Sequence, residues 1–175
     1  MIDVLRELER WANTLPLNPR TNYAYYGDTT GERAPWNQPW GLVGYAAQTS
    51  TSQTGISSEA DITSVSLTVT TVVNRYLWAV ADFRCIQRTS AGINEGKITT
   101  STNTLLGKSS VGLSIDQTYQ HKIFTPLLTS AAGANTFKLR TSTTAGTTDT
   151  TVASNQPAQL FVFDVGPAAT AAPVA

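Results

Sequence analysis

Between Ile62 and Ile86 apolar and polar residues alternate with a period of two. Val65, Leu67, Val69, Thr71 and Val73 fall on one side, with Ser66, Thr68 and Thr70 on the other. That is the pattern of a strand with one buried face. Asn74-Arg75 predicts a turn, because Asn tolerates positive φ, and so the stretch reads as a hairpin. Its second arm sets Leu77, Ala79, Ala81, Phe83 and Cys85 on an uninterrupted apolar face, which must be core. The opposite face carries Tyr76, Trp78, Val80, Asp82, Arg84 and Ile86. Two aromatics are too many for a plain solvent face. Tyr76, Trp78 and Val80 are therefore expected to meet another surface, in the first instance another copy of the chain.

The same alternation continues on both sides of this stretch. Strands are predicted at LVGYAAQ after Gly41, and at Lys97–Thr102, Val111–Ile115, Tyr119–Phe124, Thr136–Thr141, Thr147–Ala153 and Leu160–Val165. The segment QRTSAGINEG reads as a turn-rich connection, and the Thr-rich run Thr141–Thr151 as an exposed hairpin. Many short strands with regular turn signals predict an all-β, jelly-roll-like β-sandwich over residues 41–167, with a short N-terminal helix and an extended arm before it.

The helix is predicted over residues 1–16. Met1, Leu5, Leu8, Ala12 and Leu15 form a heptad stripe, and Pro16 ends it. So short a helix is marginal alone in water. Leu5, Leu8 and Leu15 therefore need a partner, either the chain's own β-domain or sister chains and a larger assembly. Residues 17–40 form an arm in which Pro19, Pro35 and Pro39 block helix. It holds Tyr23, Tyr25, Tyr26, Trp36 and Trp40, which could anchor at a protein interface or stack on sugar rings. Residues 168–175 read as an extended tail of Ala, Thr, Pro and Val.

Composition narrows the function classes. The chain of 175 residues holds 12 Lys+Arg against 12 Asp+Glu, so it lacks the basic footprint of a nucleic-acid partner. Its polarity comes instead from 28 Thr and 14 Ser, which suit pleated surfaces. No apolar run reaches the roughly 18 residues of a membrane helix, so no membrane insertion is expected. The charged start is unlike a signal peptide, and export by the usual secretory route is not expected. One cysteine excludes an internal disulfide, and Cys85 reads as a small buried hydrophobe. The lone His121 sits in a strand pattern and has no nucleophile elbow to serve. One His and one Cys cannot build a zinc site, and no phosphate or dinucleotide loop occurs. Glu59 and Asp61 lack calcium-loop spacing and read as a solvated loop. No enzyme activity, cofactor or metal is expected.

Two segments, PWGLVGYAAQTSTSQTGISSEADITSVSLTVT and QPAQLFVFDVGP, carry a resemblance. They are similar to a β-domain recurrent in minor structural proteins of tailed bacteriophages infecting actinobacteria. The matching features are Thr54-Gly55-Ile56, Glu59 to Asp61, Asn74-Arg75-Tyr76, and Pro157 through Asp164, Gly166 and Pro167. The strand order also resembles the trimeric jelly rolls of the tumour-necrosis-factor and C1q type. The resemblance implies a non-enzymatic virion protein, assembled in the host cytoplasm and displayed as a homotrimer on tail or capsid among other virion proteins. The alternative is an adhesin that binds a carbohydrate of the host envelope.

Overall fold

The computed structural model describes residues 41–48, 52–71, 75–150 and 157–168, all within one compact unit, Pro39–Ala175. The predicted helix with Leu5, Leu8 and Leu15, the arm with Tyr23, Tyr25, Tyr26, Trp36 and Trp40, and the tail beyond residue 168 lie outside the described residues.

Ten strands follow one another: β1 (Gly41–Ala47), β2 (Ala60–Thr71), β3 (Arg75–Arg88), β4 (Gly92–Thr100), β5 (Leu105–Leu113), β6 (Thr118–Phe124), β7 (Leu128–Thr129), β8 (Gly133–Thr143), β9 (Thr147–Thr150) and β10 (Gln159–Pro167). They form two antiparallel sheets. Sheet A has the order β1-β10-β3-β6, with β7 and β9 also paired to β3, and sheet B has the order β2-β8-β4-β5. The chain passes back and forth between the sheets, which is the wrapping of a jelly roll. The all-β sandwich expected from the alternation is the observed fold.

The central stretch is not a hairpin. β2 pairs with β8 in sheet B, whereas β3 pairs with β10 and β6 in sheet A. The two arms therefore lie in different sheets. Alternation specifies which side chains face inward, and it says nothing about which strand lies alongside. Arg75 is likewise not a turn residue but the first residue of β3, buried in the sandwich. The turn-rich reading of QRTSAGINEG also shrinks, because Gln87 and Arg88 belong to β3 and Gly92 opens β4.

Within β3 the alternation holds along the whole strand: every odd-numbered residue from Arg75 to Gln87 is buried and every even one half-buried. Leu77, Ala79, Ala81, Phe83 and Cys85 pack against Ile98, Leu139, Ile123, Leu160 and Val162 in one core. Burying each large apolar side chain contributes about 1.5–3 kcal/mol. β2 departs from strict alternation where Ser64 takes a positive φ of 66°. The register slips there between Asp61 and Ser66, a bulge that turns both Ile62 and Val65 inward.

Two glycines let the sheets close on each other along their edges. A Cβ on Gly44 of β1 would lie 2.5 Å from Leu67 Cδ1 of β2, and one on Gly107 of β5 would lie 2.7 Å from the Phe124 carbonyl oxygen of β6. Edge strands of opposite sheets thus come together at both sides of the sandwich.

The interior becomes polar toward the Arg88 end of β3. The Thr-rich run expected as an exposed hairpin is divided between sheets, with β8 in sheet B and β9 in sheet A. Thr141, Thr148 and Thr150 are fully buried. Their hydroxyls are satisfied by groups distant in sequence: Thr141 Oγ1 donates to the Glu95 carbonyl and Thr148 Oγ1 to the Ile86 carbonyl. A buried polar group with a partner avoids most of its desolvation cost. Period-two patterning could not supply those partners, so the run looked like surface.

Candidate functional site

The outer faces of the two sheets differ in chemistry. On sheet B, charged side chains form a closed grid. Lys97 bridges Glu59 and Glu95 at 2.5 and 3.0 Å, Lys108 meets Glu95 at 2.5 Å, and Lys138 and Arg140 reach Asp61 at 3.1 and 2.7 Å. Arg140 also pairs with Glu59. The hydrogen bond from Lys108, assisted by that from Lys97, holds the Glu95 carboxyl down to about 2 despite partial burial. Glu59 and Asp61, expected to be a solvated loop, are therefore the acidic side of this grid. Ion pairs satisfied within one face suit a surface left in water.

Sheet A carries aromatic rings on its outer face. Outward positions of neighbouring strands line up in rows: Leu42 beside Phe163 beside Trp78, then Tyr45 beside Phe161 beside Val80 beside Phe124. Ring centroids run from Tyr45 to Phe161 at 5.0 Å, Phe161 to Phe163 at 6.5 Å, Phe163 to Trp78 at 6.0 Å and Trp78 to Phe124 at 5.9 Å. Leu42, Tyr45 and Phe124 are each more than half exposed, at 54, 53 and 55%. These aromatics and aliphatics are contiguous on the sheet exterior, unlike scattered surface hydrophobes.

Tyr76, Trp78 and Val80 lie half-buried on this face, as their alternation placed them. Trp78 sits between Phe163 and Phe124. The structure adds Leu42, Tyr45, Phe124, Phe161 and Phe163 to the same patch. Their outward direction was readable from alternation with Ile123, Leu160 and Val162, but their adjacency to Trp78 depends on pairing across β1, β10, β3 and β6.

Beyond the aromatic rows the face turns polar. The next row sets Gln159, Asp82 and Lys122 side by side, and the row after it Arg84 and Gln120. Gln120 Nε2 donates to Asp82 Oδ1. An apolar centre with a polar margin is the usual anatomy of a protein contact.

His121 lies on the inner side of β6, stacked on Phe83 with centroids 4.9 Å apart. Both ring nitrogens are engaged, Nδ1 with Ser109 Oγ at 3.0 Å and Nε2 with Asn94 Oδ1 at 3.0 Å. Asn94 Nδ2 donates to Thr148 Oγ1 at 2.6 Å, so Asn94 Oδ1 accepts from the ring. The proton therefore sits on Nε2, and Nδ1 accepts from Ser109. Burial pushes the His121 pKa down to about 4. Burial likewise pushes the Cys85 thiol up to about 11, the state of an inert core thiol. Among the described residues no group of three or more His, Cys, Asp or Glu is placed to hold a metal.

These features define an antiparallel β-sandwich with one sheet face of paired charges and one of aromatic rings. No family model matches the chain, and no curated protein does. Solved structures with a similar β-rich fold include chains of virus particles. One, from the T13 particle of infectious bursal disease virus, has a TM-score of 0.41 at 12% identity, over 75% of this chain and 36% of that one. Another, from the Gx strain of the same virus, has a TM-score of 0.41 at 14% identity, over 77% and 38%. An α-L-arabinofuranosidase has a TM-score of 0.34 at 11% identity, over 73% and 25%. This chain thus spans well under half the length of the chains it resembles.

Proposed function

We propose that the protein is a non-enzymatic structural component of a virion, a surface part of the tail or capsid, built into its assembly through the aromatic half of sheet A. The observation that carries this reading is the contrast between faces. Sheet B pairs its own charges and needs no cover, whereas sheet A exposes Tyr45, Phe124 and Leu42 around Trp78. The resemblance of the sequence to phage minor structural proteins supports the same assignment. The only histidine is buried with both nitrogens occupied, which fits a role without catalysis. The virion setting, the anchoring role of the helix and arm, and the absence of enzyme activity all belong to this proposal.

A second reading draws on the near-parallel planes of Trp78 and Phe124, 15° apart, which could stack on sugar rings. In that reading the chain is an adhesin for an envelope glycan. Mass spectrometry of purified particles, with wild-type and Trp78→Ala chains supplied during assembly, separates the two. Incorporation of the wild type and loss of the variant is the expected result. A variant still incorporated in particles that no longer bind cells would establish the adhesin instead.

A further inference from the structure

Twelve of the charged residues among those described enter salt bridges, from the grid of sheet B to the Arg88 pairs with Asp116 and Asp149 and the buried pair of Arg75 with Asp164. Asp82, Arg84 and Lys122 enter none. These three stand together on one face. Asp82 and Lys122 are register partners, and Arg84 is the next outward position along β3. Asp82 and Lys122 border the aromatic rows on sheet A, and Arg84 stands one row further out. Every other charged residue among those described is in a salt bridge, so an acid and two bases are left outside the ion pairs beside the aromatic patch.

We infer that a second copy of this chain covers the aromatic half of sheet A, with Asp82 of each copy meeting Arg84 or Lys122 of the other. The inference rests on the reading of this face as an assembly contact. The margin carries both signs, so one surface supplies both halves of an ion pair. That is the self-complementarity that like copies need. A partner of one charge would be repelled by part of the margin. A glycan would find Phe, which has no hydrogen-bonding group, at three of the five ring positions. Charges at the border of a contact fix its register and exclude wrong partners.

The test is charge reversal read by the mass of the full chain in solution across a concentration series. Wild type is expected to associate. Asp82→Lys makes the margin wholly basic, and Arg84→Glu with Lys122→Glu makes it wholly acidic. Each should weaken self-association by about tenfold or more, with an unchanged melting temperature. Mixing the two variants should restore association, as should the triple variant that reverses all three signs. A wild-type chain that stays monomeric overturns the inference, and so does association indifferent to the reversals. Particle incorporation is measured separately. A solution monomer that still enters particles sinks only the self-contact, whereas an associating chain absent from particles sinks only the virion reading.

Discussion

Arg75 and Asp164 form a two-pronged ion pair inside the sandwich, with Nε to Oδ2 at 2.8 Å and Nη2 to Oδ1 at 2.7 Å. The side chains are 1% and 0% exposed. Asp164 Oδ1 also accepts from the Gly166 amide at 2.9 Å, at the bulge where the β10 register slips. The pair therefore ties the first residue of β3 to the end of β10. Removing one partner strands a buried charge, which costs about 3–5 kcal/mol. Asp164→Ala is expected to lose stability on that scale in urea titration. Arg75→Met combined with Asp164→Leu should recover much of the loss, because neither charge is then stranded.

His121 predicts a pH dependence. Its folded pKa, about 4, lies below its ordinary 6.5, so the unfolded chain binds the proton more readily. Stability from the neutral ring is whole above pH 6.5 and declines as pH falls toward 4. The limit is about 3 kcal/mol, since each pKa unit corresponds to about 1.36 kcal/mol. The urea midpoint should fall over that window, and His121→Gln should flatten this part of the curve. Glu95 adds a separate loss below its ordinary 4.5, as pH falls toward about 2. A midpoint level from pH 7 to 4.5 would refute the assignment.

Leu77 and Trp78 are neighbours on opposite faces of β3 and should respond oppositely. Leu77, 1% exposed, belongs to the core. Leu77→Ala should cost about 2–5 kcal/mol of folding stability. Trp78→Ala should cost less folding stability and abolish association. Thermal melting and solution mass, measured on both variants, separate the effects.

Gly107 marks a close approach of β5 to β6. A Cβ there would stand 2.7 Å from a backbone oxygen of Phe124, which cannot rotate away. Gly107→Ala should therefore force the strands apart and cost about 1–3 kcal/mol. At Gly112 nothing lies within 4 Å, so Gly112→Ala is the control and should leave the denaturation midpoint nearly unchanged.

The sequence by itself determined the fold class and the direction of most side chains. Alternation along β3 placed Cys85 inside and Trp78 outside, and alternation along β10 set Leu160 and Val162 on the side opposite Phe161 and Phe163. That information is local, because the side-chain period of a strand is two whatever lies beside it. Tertiary structure alone decided which strands became neighbours. It placed the two arms of an apparent hairpin in different sheets. It carried a supposed turn residue, Arg75, to a carboxylate 89 positions away. It also drew Thr141, Thr148 and Thr150 into the interior. A polar residue can be buried when its partner is at hand, and that partner is set by long-range pairing rather than by the residues next to it. For the same reason the aromatic patch and its three unpaired charges were present in the sequence as scattered letters. They became one surface only when β1, β10, β3 and β6 came together side by side.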